Sequence, residues 1–200
     1  MADTLFDSKK TCLIASDIFG MSEAFLSLVN DVNIDDSVLT VVPYQQPQTV
    51  FKNEAQAYQC FQDYGGITAY IHSLKQHLKC NLDIKQVIGF SAGAAAIYKA
   101  MSELSNDGIS INNLTLILFY PSQIRHYSGS HINCRCHIIF PEFEPHFSLP
   151  DVIQVLQQQS GIKVEQSSYQ HGFMNRDSRA FDQTAYNHYC QMLNRLLVKV

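Results

Sequence analysis

Uninterrupted apolar runs alternate along this chain with segments whose apolar positions recur every three or four residues. The first run covers residues 11–16 and the second 38–43. Between them Ser22 precedes a helical pattern over 23–32, where its hydroxyl can accept from a first-turn amide. Asp35-Asp36 marks a turn, and a polar loop follows the second run over 45–53. A helical pattern then holds over 53–78, interrupted at Gly65-Gly66. Residues 86–90 form the third run, and a helix of small residues is expected over 92–104. Two continuous apolar strands follow, 113–120 stopped by Pro121 and 134–140 stopped by Pro141. Ser148-Leu149-Pro150-Asp151 has the form of a helix start, with Ser148 as cap and Pro150 in the first turn. That helix runs to about 159, and Gly161 ends it. A last strand is expected over 163–169 and a last helix over 179–197.

Strands therefore alternate with helices six times. The strands are mostly unbroken apolar runs, the pattern expected when helices cover both faces of a parallel sheet. The fold class is α/β, with about six mainly parallel strands. The chain shows no internal repeat, no low-complexity linker and no second core, so residues 1–200 read as one domain.

Composition narrows the partners. Hydrophobic residues make up 46% of the chain, which suits a globular core, and charged residues only 16%. The net charge of −4 and the lack of a basic run argue against nucleic acid. No apolar window is long enough to span a membrane. Residues 1–10 lack the charged and apolar regions of a signal peptide. A cytoplasmic location is expected, and the six cysteines fit it as free thiols. Cys134 and Cys136 would share one strand face, a spacing zinc sites do not favour. His126, His131 and His137 lie nearby without a metal-ligand spacing. No metal or organic cofactor is expected.

The chemistry concentrates at Gly89-Phe90-Ser91-Ala92-Gly93. A G-x-S-x-G between an apolar strand and a small-residue helix holds a serine hydroxyl clear of the sheet on a strained turn. Side chains at the two glycines would obstruct the approach of strand and helix. A serine needs a base, and the base needs an orienting acid. His171 follows the last strand and so stands at the same end of the sheet as Ser91. The acid should follow the preceding strand, where Glu142 and Glu144 both qualify. Oxyanion donors would come from the Ala92 amide and from the loop Asp17-Ile18-Phe19-Gly20.

With these residues placed, the chain resembles the dienelactone hydrolase family of the α/β-hydrolase superfamily. Four segments carry the resemblance in order. Ser16-Asp17-Ile18-Phe19-Gly20-Met21 is similar to the family's H-E-I-F-G-L stretch. The segment around Ser91 matches its G-x-C-x-G-G turn. Phe140-Pro141-Glu142-Phe143-Glu144-Pro145-His146 is similar to its acid loop, and Tyr169-Gln170-His171-Gly172-Phe173 matches its Y-x-H-G-F loop. The resemblance implies a compact α/β-hydrolase fold without a cap domain. It places Ser91 as nucleophile, His171 as base, Glu144 rather than Glu142 as acid, and the Ile18 and Ala92 amides as oxyanion donors. Asp17 falls on an auxiliary carboxylate, shortened from Glu. The chain departs from the family in its serine nucleophile and in its arginines. None lies before Arg125, and Asn175 rather than Arg176 falls on the second family arginine.

The function so implied is hydrolysis of a small ester or thioester through an acyl-enzyme, in a pocket lined from Phe19, Phe90, Tyr120-Pro121, Phe143 and Phe173. The alternative is a catalytically inactive scaffold that binds a ligand or a partner. Homodimerisation is left open.

Overall fold

The computed structural model describes residues 10–32, 37–44 and 50–197. The first nine residues, the Asp35-Asp36 turn and the first part of the polar loop, 45–49, lie outside the described residues.

Six strands form one parallel sheet: β1 (Cys12–Ala15), β2 (Val38–Val41), β3 (Gln86–Phe90), β4 (Thr115–Phe119), β5 (Arg135–Phe140) and β6 (Ile162–Gln166). Their spatial order is β2-β1-β3-β4-β5-β6, and every neighbouring pair is parallel. The helices are α1 (Glu23–Asp31), α2 (Glu54–Asp63), α3 (Gly66–Cys80), α4 (Ala92–Asn106), α5 (Leu149–Gln157) and α6 (Gln183–Leu197). A short 3₁₀ helix, Ser122–His126, follows β4.

The apolar runs of the inner strands β1, β3, β4 and β5 are largely buried on both faces, and the two-residue strand period divides them. Leu13, Ala15, Val87, Leu116, Leu118 and Ile138 face a core shared with α2, α3, α4 and α5. Cys12, Ile14, Ile88, Phe90, Ile117, Phe119 and Ile139 face a second core shared with α1 and α6. The expected α/β architecture is thus present. Cys136 and Cys134 are buried with the first core, where burial pushes the Cys134 thiol up to about 12.

The elements differ from expectation mainly at their ends. Ser22 caps α1 as expected, its Oγ accepting from the Phe25 amide at 3.2 Å. Ser148 precedes α5 but makes no side-chain cap bond. Strand β6 ends at Gln166 rather than near 169; beyond it the Ser167 amide donates to the Phe140 carbonyl at 2.9 Å, and the Tyr169 carbonyl accepts from the Glu142 amide at 2.7 Å. Helix α6 begins at Gln183 rather than near 179. Asp182 is the cap there, its Oδ1 accepting from the Ala185 amide at 2.8 Å and its carbonyl from the Tyr186 amide at 2.9 Å.

From β1 the chain crosses to β2 on one side and later to β3 on the other. The gap between the β1 and β3 loops is therefore a topological switch point, where a crevice opens beyond the carboxyl ends of the strands.

Candidate active site

Strand β3 ends at Phe90 and α4 begins at Ala92, so Ser91 alone makes the turn. Its φ of 49° and ψ of −113° form a conformation that costs an L residue roughly 1–3 kcal/mol. Hydrogen bonds hold it there. The Ser91 amide donates to the Phe119 carbonyl at 2.9 Å, and the Ser91 carbonyl accepts from the Ala95 amide at 3.1 Å. The two flanking glycines permit the turn through close approach. A Cβ on Gly93 would stand 2.2 Å from the Ser16 carbonyl oxygen, and one on Gly89 would stand 2.5 Å from Ile97 Cδ1.

The turn aims Ser91 Oγ at His171, whose Nε2 lies 2.9 Å away. On the other side of the ring, Nδ1 lies 2.8 Å from Glu144 Oε1. One arrangement of protons satisfies both contacts: Nδ1–H donates to the carboxylate, and Nε2 accepts from the serine hydroxyl. Serine, imidazole and carboxylate come from loops after β3, β6 and β5, far apart in sequence and joined at one end of the sheet. The Glu144 side chain is only 4% exposed and that of His171 33% exposed. Glu142, two residues earlier, is exposed; its backbone bonds to Tyr169 and Gln166, and its carboxyl is not among the contacts of His171. A hydroxyl donating to an imidazole that is held by a carboxylate can surrender its proton when the oxygen attacks an electrophile.

Ser122 was not singled out from the sequence. Its Oγ lies 2.5 Å from Glu144 Oε1 and 2.8 Å from His171 Nδ1. The chain reaches it by an unusual path. Tyr120 has φ 39°, Pro121 has φ −79° and ψ 70°, and the Ser122 amide donates to the Tyr120 carbonyl at 2.9 Å. That is an inverse γ-turn, which the fixed φ of proline suits. The Tyr120 ring packs against the imidazole, with ring centres 4.9 Å apart.

The loop after β1 stands opposite. The Asp17 carbonyl accepts from the Gly20 amide at 3.2 Å and from Ser16 Oγ at 3.0 Å. The Tyr44 hydroxyl donates to the Ile18 carbonyl. Tyr70 shares its hydroxyl between the Ser16 and Val41 carbonyls, at 3.0 and 2.9 Å. The Ile18 amide has no hydrogen-bond acceptor among the described residues. The Ala92 amide opens α4 and so has no helical acceptor. Both residues line the same cavity as Ser91 and His171.

Asp17 is buried and tied down twice. Its Oδ1 accepts from the Phe19 amide at 2.9 Å, and its Oδ2 from Asn175 Nδ2 at 2.6 Å. Burial pushes its carboxyl up to about 6, against the downward pull of those two donors and of His171. It hydrogen-bonds to neither Ser91 nor His171.

The cavity over these groups encloses about 640 Å³, within the range of small-molecule sites. Of the residues expected in its wall, Phe19 and Tyr120 are there. Phe90, Phe143, Phe173 and Pro121 are not. Phe90 points to the opposite face of the sheet and stacks on Phe119 at 5.0 Å. Phe173 is buried in that same core, Pro121 is buried at the centre of its turn, and Phe143 stands in solvent, 56% exposed. Helix α2 supplies wall residues instead, with Glu54, Ala55 and Tyr58. Arg125 also lines the cavity, its guanidinium donating to the Ser122 carbonyl at 2.8 Å and lying over the Phe147 ring. Arg176 turns away, to Asp31 at 3.2 Å and over Tyr186. Among the described residues no group of three His, Cys, Asp or Glu is placed to hold a metal ion, and no helix is long and apolar enough to cross a membrane.

No family model matches the chain. An uncharacterized protein of Bacillus subtilis, YczH, is 31% identical over 104 residues, which are 50% of this chain and 47% of that protein. The match thus spans about half the length of its relative. Similar solved structures cover nearly the whole chain. A protein described as a hydrolase of the alpha/beta superfamily from Xanthomonas campestris pv. campestris has a TM-score of 0.60 at 11% identity, over 96% of this chain and 99% of that one. A fungal esterase from Rhizomucor miehei gives 0.55 at 14% identity, over 97% and 76%. An alpha-beta serine hydrolase homologue from Coxiella burnetii gives 0.53 at 13% identity, over 94% and 85%. At such identities the likeness establishes architecture. The chain has the α/β-hydrolase fold, with Ser91, Glu144 and His171 following strands β3, β5 and β6 in that order.

Proposed function

We propose that this protein is a serine hydrolase of the dienelactone hydrolase-like type, cleaving a small ester or thioester through an acyl-enzyme. The observation that carries the reading is the continuous contact from Ser91 Oγ through His171 to Glu144, at 2.9 and 2.8 Å, on a strained turn beside a cavity. Ser91 Oγ attacks the substrate carbonyl carbon while its proton passes to His171 Nε2. Glu144 holds the imidazolium that forms. The Ile18 and Ala92 amides receive the oxyanion, each such donor being worth about 3 kcal/mol to the transition state. The bond to the leaving group then breaks, and His171 returns its proton to the departing oxygen or sulfur. A water enters, gives a proton to the same nitrogen and attacks the acyl carbon, releasing the acid and restoring Ser91.

Asp17 serves this scheme as an auxiliary group that shapes the loop bearing Ile18. Neither metal nor organic cofactor has a step to perform. The six free cysteines fit work in a reducing, cytoplasmic compartment. The family's arginine clamp on a substrate carboxylate has no counterpart at Asn175, which is engaged with Asp17, or at Arg176. The substrate class is accordingly a small ester or thioester other than the dienelactone.

A fluorophosphonate probe tests the reading. Wild-type protein should be labelled and Ser91→Ala should not, and a panel of p-nitrophenyl esters and acyl thioesters should be cleaved only by the wild type. No labelling, with no cleavage above a heat-treated control, would overturn the enzyme and favour a scaffold that only binds.

A further inference from the structure

We infer that Ser122 is a positioning residue for the His171–Glu144 pair, acting through the carboxylate and the imidazole and touching no reacting atom. The inference rests on the hydrolase reading above.

Three atoms meet around one proton. His171 Nδ1 is 2.8 Å from both Glu144 Oε1 and Ser122 Oγ, and Ser122 Oγ is 2.5 Å from the same carboxylate oxygen. The carboxylate can only accept, and Nδ1 can only donate while Nε2 accepts from Ser91. The Ser122 hydroxyl has one proton, and the acceptor within reach is Glu144 Oε1. Nδ1–H is then shared between the carboxylate oxygen and Ser122 Oγ. The hydroxyl thus closes a triangle, donating to the acid and accepting from the base.

The geometry supplies what a glutamate lacks. Its extra methylene gives three rotatable side-chain bonds, so it defines the carboxylate less sharply than an aspartate. Ser122 has one rotatable bond to its oxygen, and its backbone is held by the inverse γ-turn at Pro121 and by Arg125 Nη1 on its carbonyl at 2.8 Å. A short side chain on a stiff turn therefore anchors a long one on a loop. The imidazolium of the transition state gains most, because a charge-assisted contact of Nδ1–H to a fixed acceptor strengthens as the ring becomes charged. The benefit belongs to the chemical step rather than to substrate binding.

The experiment follows pre-steady-state labelling and steady-state turnover in Ser122→Ala, Ser122→Thr and the same pair on a Glu144→Gln background. Ser122→Ala should lower kcat about 10-fold, the scale of one hydrogen bond to a charged group, with KM unchanged. Ser122→Thr, which keeps the hydroxyl, should restore most of the rate. On the Glu144→Gln background the loss from Ser122→Ala should largely vanish, since the residue acts through that carboxylate. Ser122→Cys keeps the volume with a weaker donor and is read in the same way should the alanine variant not fold. A Ser122→Ala enzyme labelled and turning over at the wild-type rate, or one that loses the same factor with or without Glu144, overturns the inference while leaving the hydrolase reading in place. A wild type that is neither labelled nor active overturns both.

Discussion

Glu142 and Glu144 sit two residues apart in one loop and meet different surroundings. Glu144 is enclosed and holds the imidazole, whereas Glu142 stands in solvent. Glu144→Gln should therefore cut kcat by about 10³-fold or more, because an amide favours the wrong imidazole tautomer. Glu142→Gln should leave turnover near wild type, and equal losses in a paired assay would undo the assignment. Asp17 offers a second single-residue experiment, in pH rather than rate. Its folded carboxyl titrates near 6 against an ordinary 3.8. Between those values the folded protein holds a proton that the unfolded chain has released. This group's contribution makes stability fall as pH rises through that window and level off above it. Asp17→Asn cannot titrate, so urea midpoints measured from pH 4 to 7 should lose that part of their slope. A variant retaining the full wild-type slope contradicts the assignment. The identities of Ser91 and His171 were legible in the sequence because each sits in a local pattern at a strand end. Ser122 was not, since an inverse γ-turn centred on Pro121 leaves no motif and its partners lie 22 and 49 residues away.

Elements were legible where packing dominates and blurred where side chains decide an ending. The four inner strands follow from apolar runs buried on both faces, whereas the edge strand β6 alternates apolar residues with Lys163 and Glu165 and is only partly buried. The start of α6 lies about a turn beyond the expected 179, since Asp177, Ser178 and Asp182 are all residues that can cap a helix and the sequence does not choose among them. The aromatic wall was misjudged for a related reason. Which face Phe90 takes follows from strand register, and Phe173 packs by tertiary contact; neither can be read from hydrophobicity. Helix α4 carries the firmest expectation at this scale. Its first turn approaches β1 so closely that Gly93→Ala would force a Cβ onto the Ser16 carbonyl. Relief requires the helix or the 16–20 loop to move, at a cost of about 1–3 kcal/mol. Thermal unfolding should show that loss, and kcat should fall further than KM rises because the Ile18 amide moves with the loop. Gly93→Ala at wild-type stability and rate would mean that the helix and the loop do not constrain each other.

At the scale of the molecule, the switch between β1 and β3 explains why the cavity lies where it does, and the sequence carried that much through the order of its strands. It did not carry the roof, since α2 contributes wall residues from a segment with no chemical motif. The strand order also has a consequence in time. After β3 each new strand joins the sheet beside the one made just before it. During synthesis a chain emerging amino end first can form the turn of Ser91 once β3 and β4 pair, because the serine amide bonds to Phe119 on β4. The imidazole it must meet is 80 residues further on, beyond the last strand to join. A nascent chain would therefore carry Ser91 without its imidazole partner through most of its assembly, and the contact forms only as its last strand docks.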